Sequence, residues 1–189
     1  MDIESSKMIA GIGSLMIAIG FIVFIGWPAL VILLIGTILA LMGIKGISDS
    51  YSEPGIFNNA LWALLFVIIG IIAFVVITVF SVFVGITGIA AGDLSNIWTW
   101  LTGIIIGFVI LFVFFILHAV YIRKSFSLLS NKTRESLFNT AGLLVLIGAI
   151  LTIVLVGVII LMIGWILAAV AFFTMKTTIT PAAPPPPPP

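Results

Sequence analysis

The sequence predicts an all-α membrane protein, a polytopic bundle in which six transmembrane helices form three hairpins. Hydrophobic residues make up 63% of the 189 residues and charged residues only 7%, whereas soluble domains contain roughly 25% charged residues. Apolar runs long enough to cross a bilayer, which takes about 20 residues, recur along the whole chain. With six spans, all lysine and arginine side chains fall on one side of the membrane, which fits the charge bias of short loops.

The boundaries of the spans follow from helix-breaking residues and from length. Pro28 lacks an amide hydrogen and restricts the residue before it, so the first two apolar runs separate there. The last run, Leu137–Met175, would form a helix of about 58 Å, about twice the hydrocarbon thickness, so we expect it to turn back at Gly157. We expect the third span to end at Phe80, with Ser81–Gly92 at the membrane surface or partly re-entrant; one long helix is the remaining alternative. The predicted spans are 8–26, 28–44, 57–80, 97–120, 137–156 and 158–175, in a membrane domain of residues 1–176 followed by a disordered, proline-rich cytoplasmic tail at 177–189.

The distribution of charge predicts the orientation. If the N-terminus is cytoplasmic, every basic residue lies on the inner side and the only charge in the outer turns is Asp93. Trp27, Trp98 and Trp100 then lie together at the outer interface, where aromatic belts form, while Trp165 lies near mid-span as a packing residue. We therefore expect a multi-pass protein of the cell membrane with both termini in the cytoplasm. The basic residues on the inner side are Lys7, Lys45, Arg123, Lys124, Lys132, Arg134 and Lys176.

Two stretches of the chain are nearly the same. VILLIGTILA at 31–40 returns as IILMIGWILA at 159–168, and the Glu-Ser and Ala-Gly pairs of residues 4–11 return with the same spacing in residues 135–142. The first and third hairpins therefore match at both ends, and the second copy is three residues shorter near its turn. Either a parallel duplication or the low complexity of the sequence explains this. The middle hairpin shares one end, because FNNA at 57–60 is similar to FNTA at 138–141.

Three segments also resemble a known family. They are IESSKMIAGIGSLMIAIG, GISDSYSEPGIFNNAL and FNTAGLLVLIGAILTIVLVGVIILMIGWILAAVAFF, and they are similar to domain-of-unknown-function family 996. The resemblance covers most of residues 3–174. It implies a small, multi-span membrane protein of a mostly archaeal family, with no established activity and no catalytic residues to carry over.

Few polar groups are placed for chemistry. No acidic or basic side chain falls clearly within a span, which disfavours ion-coupled transport. Cysteine is absent and His118 is the only histidine, so we expect no zinc site and no cofactor. His118 could be a pH-sensitive gate or, in an oligomer, one of a ring of metal ligands, but we favour a bond to a backbone carbonyl or an interfacial water. Asn58, Asn59 and Asn139 lie where helices begin and are interpreted as caps or interhelical bonds, with a cytoplasmic vestibule as the alternative.

Small residues recur at four-residue spacing in several spans. This spacing lets helix backbones approach closely, and we favour packing within the bundle over a specific seam between copies in a homo-oligomer. The candidate helix-packing residues are Gly36, Ala40, Gly103, Gly107, Gly164 and Ala168.

These observations favour a non-enzymatic role as a structural, scaffold or accessory membrane protein. The alternative is a channel or an uncoupled small-molecule carrier, which needs a polar pathway built from Ser14, Thr78, Ser81, Thr102 and Thr152. A net charge of +1 gives no support for a nucleic-acid partner. The proline-rich tail is interpreted as a stiff or disordered spacer, with docking to a partner as the alternative. The expected partner is the bilayer, with anionic lipid contacts at Arg123, Lys124, Lys132 and Arg134.

Overall fold

Six α-helices make up almost all of the chain that the structure describes. The computed structural model describes residues 2–22, 27–93 and 95–177. All six helices are long enough and apolar enough to cross a membrane, which confirms the predicted all-α bundle. Their bounds are α1 Ile3–Ile22, α2 Trp27–Ser50, α3 Pro54–Ala90, α4 Asn96–Thr133, α5 Leu137–Leu151 and α6 Val156–Thr174, with a 3-10 turn at Thr152–Val154.

The helices pair as three antiparallel hairpins. The most extensive contacts join α3 to α4, α1 to α2 and α5 to α6. Between hairpins, α1 packs against α6, α5 against α4, and α3 against α2, the last over the smallest contact. The first arm of each hairpin therefore packs on the second arm of another, and the six helices follow one another around a closed ring. We call the end at which α1, α3 and α5 begin the charged end, because every charged residue of the sequence except Asp93 lies toward it.

The middle hairpin is much longer than the other two. Helices α3 and α4 contain 37 and 38 residues, which corresponds to lengths of about 55 Å and 57 Å. The preferred interpretation of Ser81–Gly92, a surface-lying or re-entrant segment, is wrong, because α3 continues to Ala90. Its late glycines do not break the helix but lie where α4 approaches closely: a methyl group on Gly85 would meet Trp100 Cβ at 2.8 Å. The helix ends where Gly92 takes a left-handed conformation, with φ +86°.

Helix α4 likewise extends past the predicted end of its span at residue 120. The segment YIRKSFSLLSNKT stays helical because Ile122, Phe126 and Leu129 recur at helical spacing and are buried. The helix ends at Arg134, whose φ of +58° leaves the helical region.

Several other boundaries also differ from the prediction. The last hairpin turns at Thr152–Leu155 rather than at Gly157, and Leu155 takes the left-handed conformation. Gly157 lies in the first turn of α6, where its missing side chain lets the backbone of Gly148 and Thr152 come close. At the charged end, α1 already begins at Ile3, α2 runs on to Ser50 and α3 begins at Pro54, while the starts of α2 and α4 and the end of α6 differ from the prediction by one residue. The outer end of the first predicted span, residues 23–26, and the tail at 178–189 lie outside the described residues.

The charged end holds a core of aromatic side chains. Phe126 of α4 is fully buried and lies 6.0 Å from Phe138 of α5, 6.2 Å from Phe172 of α6 and 5.9 Å from Trp165, measured between ring centroids. Trp165 is therefore a packing residue, as expected. We call these four side chains the aromatic core. They join three helices at the charged end of the bundle.

Candidate functional site

His118 lies between the two arms of the middle hairpin. Its Nδ1 is 2.9 Å from the carbonyl oxygen of Ala63 in α3, and its ring stacks on Phe115. This geometry agrees with the favoured interpretation, a bond to a backbone carbonyl. Two turns along α4, Ser125 Oγ donates to the carbonyl oxygen of Ile56 at 2.7 Å in a buried position. These two bonds fix the register of α4 against α3.

The three asparagines at helix starts do not meet in one site. Asn59 Nδ2 donates to the carbonyl oxygen of Gly55 within its own helix, at 2.7 Å. Asn58 and Asn139 are exposed on α3 and α5. Side-chain capping bonds at these helix starts are absent from the described residues. The asparagines therefore neither cap the helices nor bond between them here.

The hydroxyl groups that a polar pathway would need are mostly satisfied locally. Ser14, Ser81 and Thr152 each donate to the carbonyl oxygen four residues earlier, at 2.9, 2.7 and 2.8 Å. Thr102 is exposed on the surface of α4. Thr78 Oγ1 is buried and makes no hydrogen bond with the described residues; it lies against Gly107. These side chains are spread over all three hairpins.

The small residues form close seams inside each hairpin. A methyl group on Gly36 would meet the carbonyl oxygen of Gly13 at 2.9 Å, and one on Gly164 would meet the amide of Val145 at 3.1 Å. Ala40 and Ala168 are buried one turn further along the same faces. In the middle hairpin, Gly103 lies against Ser81 and Gly107 against Phe74. The structure thus places all six candidate packing residues at contacts or buried positions within the bundle.

The sequence repeat is also a repeat of packing. Gly36 of α2 lies against residues 13 and 17 of α1, whereas its equivalent Gly164 of α6 lies against residues 141 and 145 of α5. Residues 141 and 145 are equivalent to 10 and 14, because α5 repeats α1 at an offset of 131 residues while α6 repeats α2 at an offset of 128. The contact between the two helices is therefore shifted by three residues in the last hairpin. Three residues are close to one helical turn, so the same faces stay buried. The equivalent positions that are buried in both copies are Ala10/Ala141, Ser14/Val145, Ala18/Ala149, Gly43/Ala171, Ile44/Phe172 and Ile47/Met175.

A polar network at the charged end was not predicted from the sequence. Thr177 Oγ1 donates to Glu4 Oε1 at 2.6 Å, and Thr174 Oγ1 lies 3.4 Å from Glu135 Oε2. Glu4 and Glu135 are the repeated glutamates of the first and third hairpins, so both copies contact the end of α6 and the segment after it. The repeated glutamates were visible in the sequence, but the positions of Thr174 and Thr177 relative to Glu135 and Glu4 depend on how the hairpins assemble.

Ion pairs separate the basic residues into two groups. Lys7 pairs with Glu4 at 2.9 Å and Lys132 with Glu53 at 2.9 Å. Arg123 and Lys124 are exposed and are absent from the ion pairs of the described residues. Arg123 lies beside Gly142, and Lys124 Nζ lies 4.4 Å from the ring centroid of Tyr121. These two cations are the first charged side chains along α4.

Asp93 is the single charged side chain at the opposite end. Its Oδ1 accepts hydrogen bonds from Ser95 Oγ at 2.6 Å and from the Ser95 amide at 2.9 Å, and its Oδ2 accepts from Asn96 Nδ2 at 2.8 Å. The hydrogen bonds from Ser95, chiefly that of its side chain, lower the pKa of the Asp93 carboxyl below its usual range. The Asp93 carboxylate is therefore the hydrogen-bond acceptor that orders the turn immediately before α4.

Within residues 2–22, 27–93 and 95–177, the acidic residues and His118 do not form a group of three that could hold a metal ion. The chain matches the family described as "Protein of unknown function (DUF996)" over residues 32–166, which confirms the resemblance stated above. The "Uncharacterized protein MJ1644" of Methanocaldococcus jannaschii is 26% identical over 175 residues, which cover 93% of this chain and 94% of that protein. No solved structure matches the chain.

Proposed function

The chain belongs to DUF996, a family of proteins of unknown function, and we propose that it is a non-enzymatic membrane protein with a structural role. In this proposal it is a scaffold or an accessory subunit that assembles with copies of itself or with other membrane proteins.

The dispersal of the polar side chains is the observation that supports this role best. A channel needs polar groups that converge on one path, and an enzyme needs several reactive groups within hydrogen-bond reach. Here Ser14, Ser81 and Thr152 bond within single helices of different hairpins. His118 uses one ring nitrogen on a carbonyl of the neighbouring helix. Glycine and alanine fill the seams instead, as in bundles held by close helix packing.

The proposed orientation places the charged end in the cytoplasm at the cell membrane. It rests on the lysine and arginine bias, because all seven basic residues lie toward that end. Asn131 provides a test, since Asn131-Lys132-Thr133 is a glycosylation sequon and Asn131 is exposed. In a glycosylating membrane we expect no glycan at Asn131, while a sequon introduced at the Asp93 turn gains one. A glycan at Asn131 would show that the charged end faces the opposite side of the membrane and would contradict the proposed orientation.

Anionic lipid is the partner proposed for the charged end. Arg123 and Lys124 are exposed and stand outside the ion pairs described above, whereas Lys132 is held by Glu53. Each base near an anionic surface contributes about 1 kcal/mol to lipid attraction. We therefore assign most of the attraction to Arg123, Lys124 and the exposed Arg134, and less to Lys132.

Reconstituted protein distinguishes a scaffold from a channel or an uncoupled carrier. In vesicles at low protein density, stepwise photobleaching of labelled protein counts subunits, and dye or ion release measures flux. A scaffold that self-assembles gives a fixed subunit number above one and release no faster than protein-free vesicles. Single subunits that conduct would contradict the proposal. In that case Thr78→Val, which keeps the shape of the side chain and removes its hydroxyl, reports whether the middle hairpin conducts.

A further inference from the structure

The middle hairpin extends far beyond its neighbours. Gly142 of α5 lies beside Arg123 of α4, with a methyl group on Gly142 meeting Arg123 Cα at 3.2 Å. From that level α5 continues to Leu151, about 14 Å, while α4 continues back to Asn96, about 41 Å. Helix α4 therefore reaches about 27 Å further from the charged end than α5 does. We call residues 69–90 of α3 and 96–114 of α4 the long arm.

The long arm packs on itself. Its buried residues face the other helix of the same hairpin: Gly70 lies against Phe114, Gly85 against Trp100, and Gly107 against Phe74. The outward faces of both helices are apolar and exposed, as at Phe80, Phe83, Phe108 and Trp98. The charged end of the hairpin is different, because Ile56, Phe126 and Leu129 are fully buried there. The hairpin is thus fixed at its base and unbraced along the arm.

The apolar lengths of the helices do not match. From the contact between the rings of Phe66 and Tyr121, 5.2 Å apart, the hairpin extends to Ala90 and Asn96, about 37 Å away. Helix α5 and the 3-10 turn that follows it form an apolar span of 18 residues, Leu137–Val154, which is about 28 Å long. A bilayer core of about 30 Å is shorter than the first and longer than the second. A single tilt cannot match both, and an apolar stretch longer than the bilayer is accommodated by tilting or by thickening the membrane.

We propose that the long arm is the bilayer-matching element of this protein. It tilts against the shorter helices according to the thickness of the hydrocarbon core, and the partner it fits is the lipid bilayer. The apolar part of the middle hairpin, about 37 Å from the Phe66–Tyr121 contact to the tip of the arm, spans a 27 Å core at a tilt of about 43° and a 33 Å core at about 27°. The tip moves sideways by about 9 Å between the two tilts. The base stays fixed by the aromatic core, which joins α4 to α5 and α6, while the Ser125–Ile56 hydrogen bond holds α3 to α4 there.

Spin-label distances in vesicles of different thickness test this directly. The chain contains no cysteine, so labels can be placed at chosen sites without background. Trp98→Cys with Ile153→Cys joins the arm tip to the outer turn of the last hairpin, and both positions are 71% exposed. Asn58→Cys with Asn139→Cys is the matched control at the charged end, where both side chains are exposed. Thr99→Cys with Val154→Cys is a second tip pair at exposed positions.

In phosphatidylcholine vesicles with 14-, 18- and 22-carbon chains, we expect both tip distances to change progressively by several ångströms. The control distance should stay constant. Tip distances that are the same in all three bilayers would overturn the proposal, as would equal changes at the control pair, which would mean that the whole bundle rearranges. Protein labelled at Trp98→Cys alone reports the competing occupant. Assembly through another face leaves the two labels far apart and keeps the proposal, whereas two labels in close proximity would mean that a second copy covers the arm, and the proposal would fail.

Discussion

Replacing Phe126 by alanine is expected to destabilise the bundle more than the same replacement on the long arm. Phe126 is 0% exposed and is the shared neighbour of Phe138, Trp165 and Phe172. Removing a buried phenylalanine ring typically costs 3–5 kcal/mol, through lost contacts and the cavity that remains. Three neighbouring rings that cannot all collapse into the space place the expected loss near the top of that range, at about 4–5 kcal/mol.

Phe80→Ala is the matched control, because this ring is 67% exposed on the arm. Its loss is expected to be about 0.5 kcal/mol or less, as for exposed substitutions in general. Both variants would be unfolded reversibly in mixed micelles by adding dodecyl sulfate, with helix content followed by circular dichroism. Equal losses for the two variants would refute the assignment of stability to the aromatic core.

The remaining predictions concern single contacts. Ser125→Ala is expected to lower stability by about 0.6–2 kcal/mol in the same titration, because Ile56 loses its interhelical donor; no change would mean that this bond does not hold the register. Gly157→Val is expected to separate α5 from α6, since its side chain would strike backbone atoms. A disulfide between two cysteines introduced on either side of that turn should then form more slowly than it does with Gly157 present. An unchanged rate of disulfide formation would contradict the close contact. For Asp93, the lowered pKa means that the carboxylate stabilises the fold fully above the usual carboxyl pKa of about 3.9 and that this contribution is lost as pH falls through the lowered value. Asp93→Asn should therefore lower the unfolding midpoint at pH 6, and the difference from the unchanged protein should shrink as the pH falls below about 3.9; a difference that grows toward low pH would contradict the assignment to Asp93.

The sequence predicted the number and pairing of the helices because composition and length decide them. The end of α3 was harder to predict from the sequence. The glycines in Ser81–Gly92 were interpreted as helix breaks, but they lie inside α3 where α4 packs closely against it. Whether Gly85 ends a helix or lets another helix approach depends on the partner, which local sequence does not specify. The turn of the last hairpin was predicted at Gly157 for the same reason, since that glycine also serves close packing and not the turn.

The candidate site was predicted in part. A carbonyl partner for His118 could be expected from the cost of an unpaired polar group in a bilayer, although Ala63 as that partner could not. The contacts of Glu4 and Glu135 with Thr177 and Thr174 need the final arrangement of three hairpins. Both glutamates mark the sequence repeat, but a charge at a helix start is ordinarily interpreted as a capping or orienting residue, so the repeat alone does not indicate these contacts.

The order in which the ring of helices can close has a consequence for synthesis. The first helix made, α1, packs against the last one, α6, so its final partner does not exist until the chain is nearly complete. Until then the seam of α1 that faces α6 has to be shielded by lipid or by an insertion factor. A ribosome stalled after α4 would leave two hairpins joined only by the smallest interhelical contact, between α2 and α3. Synthesis of α6 therefore closes the ring, because α6 supplies the packing partner that both α1 and α5 lack until then.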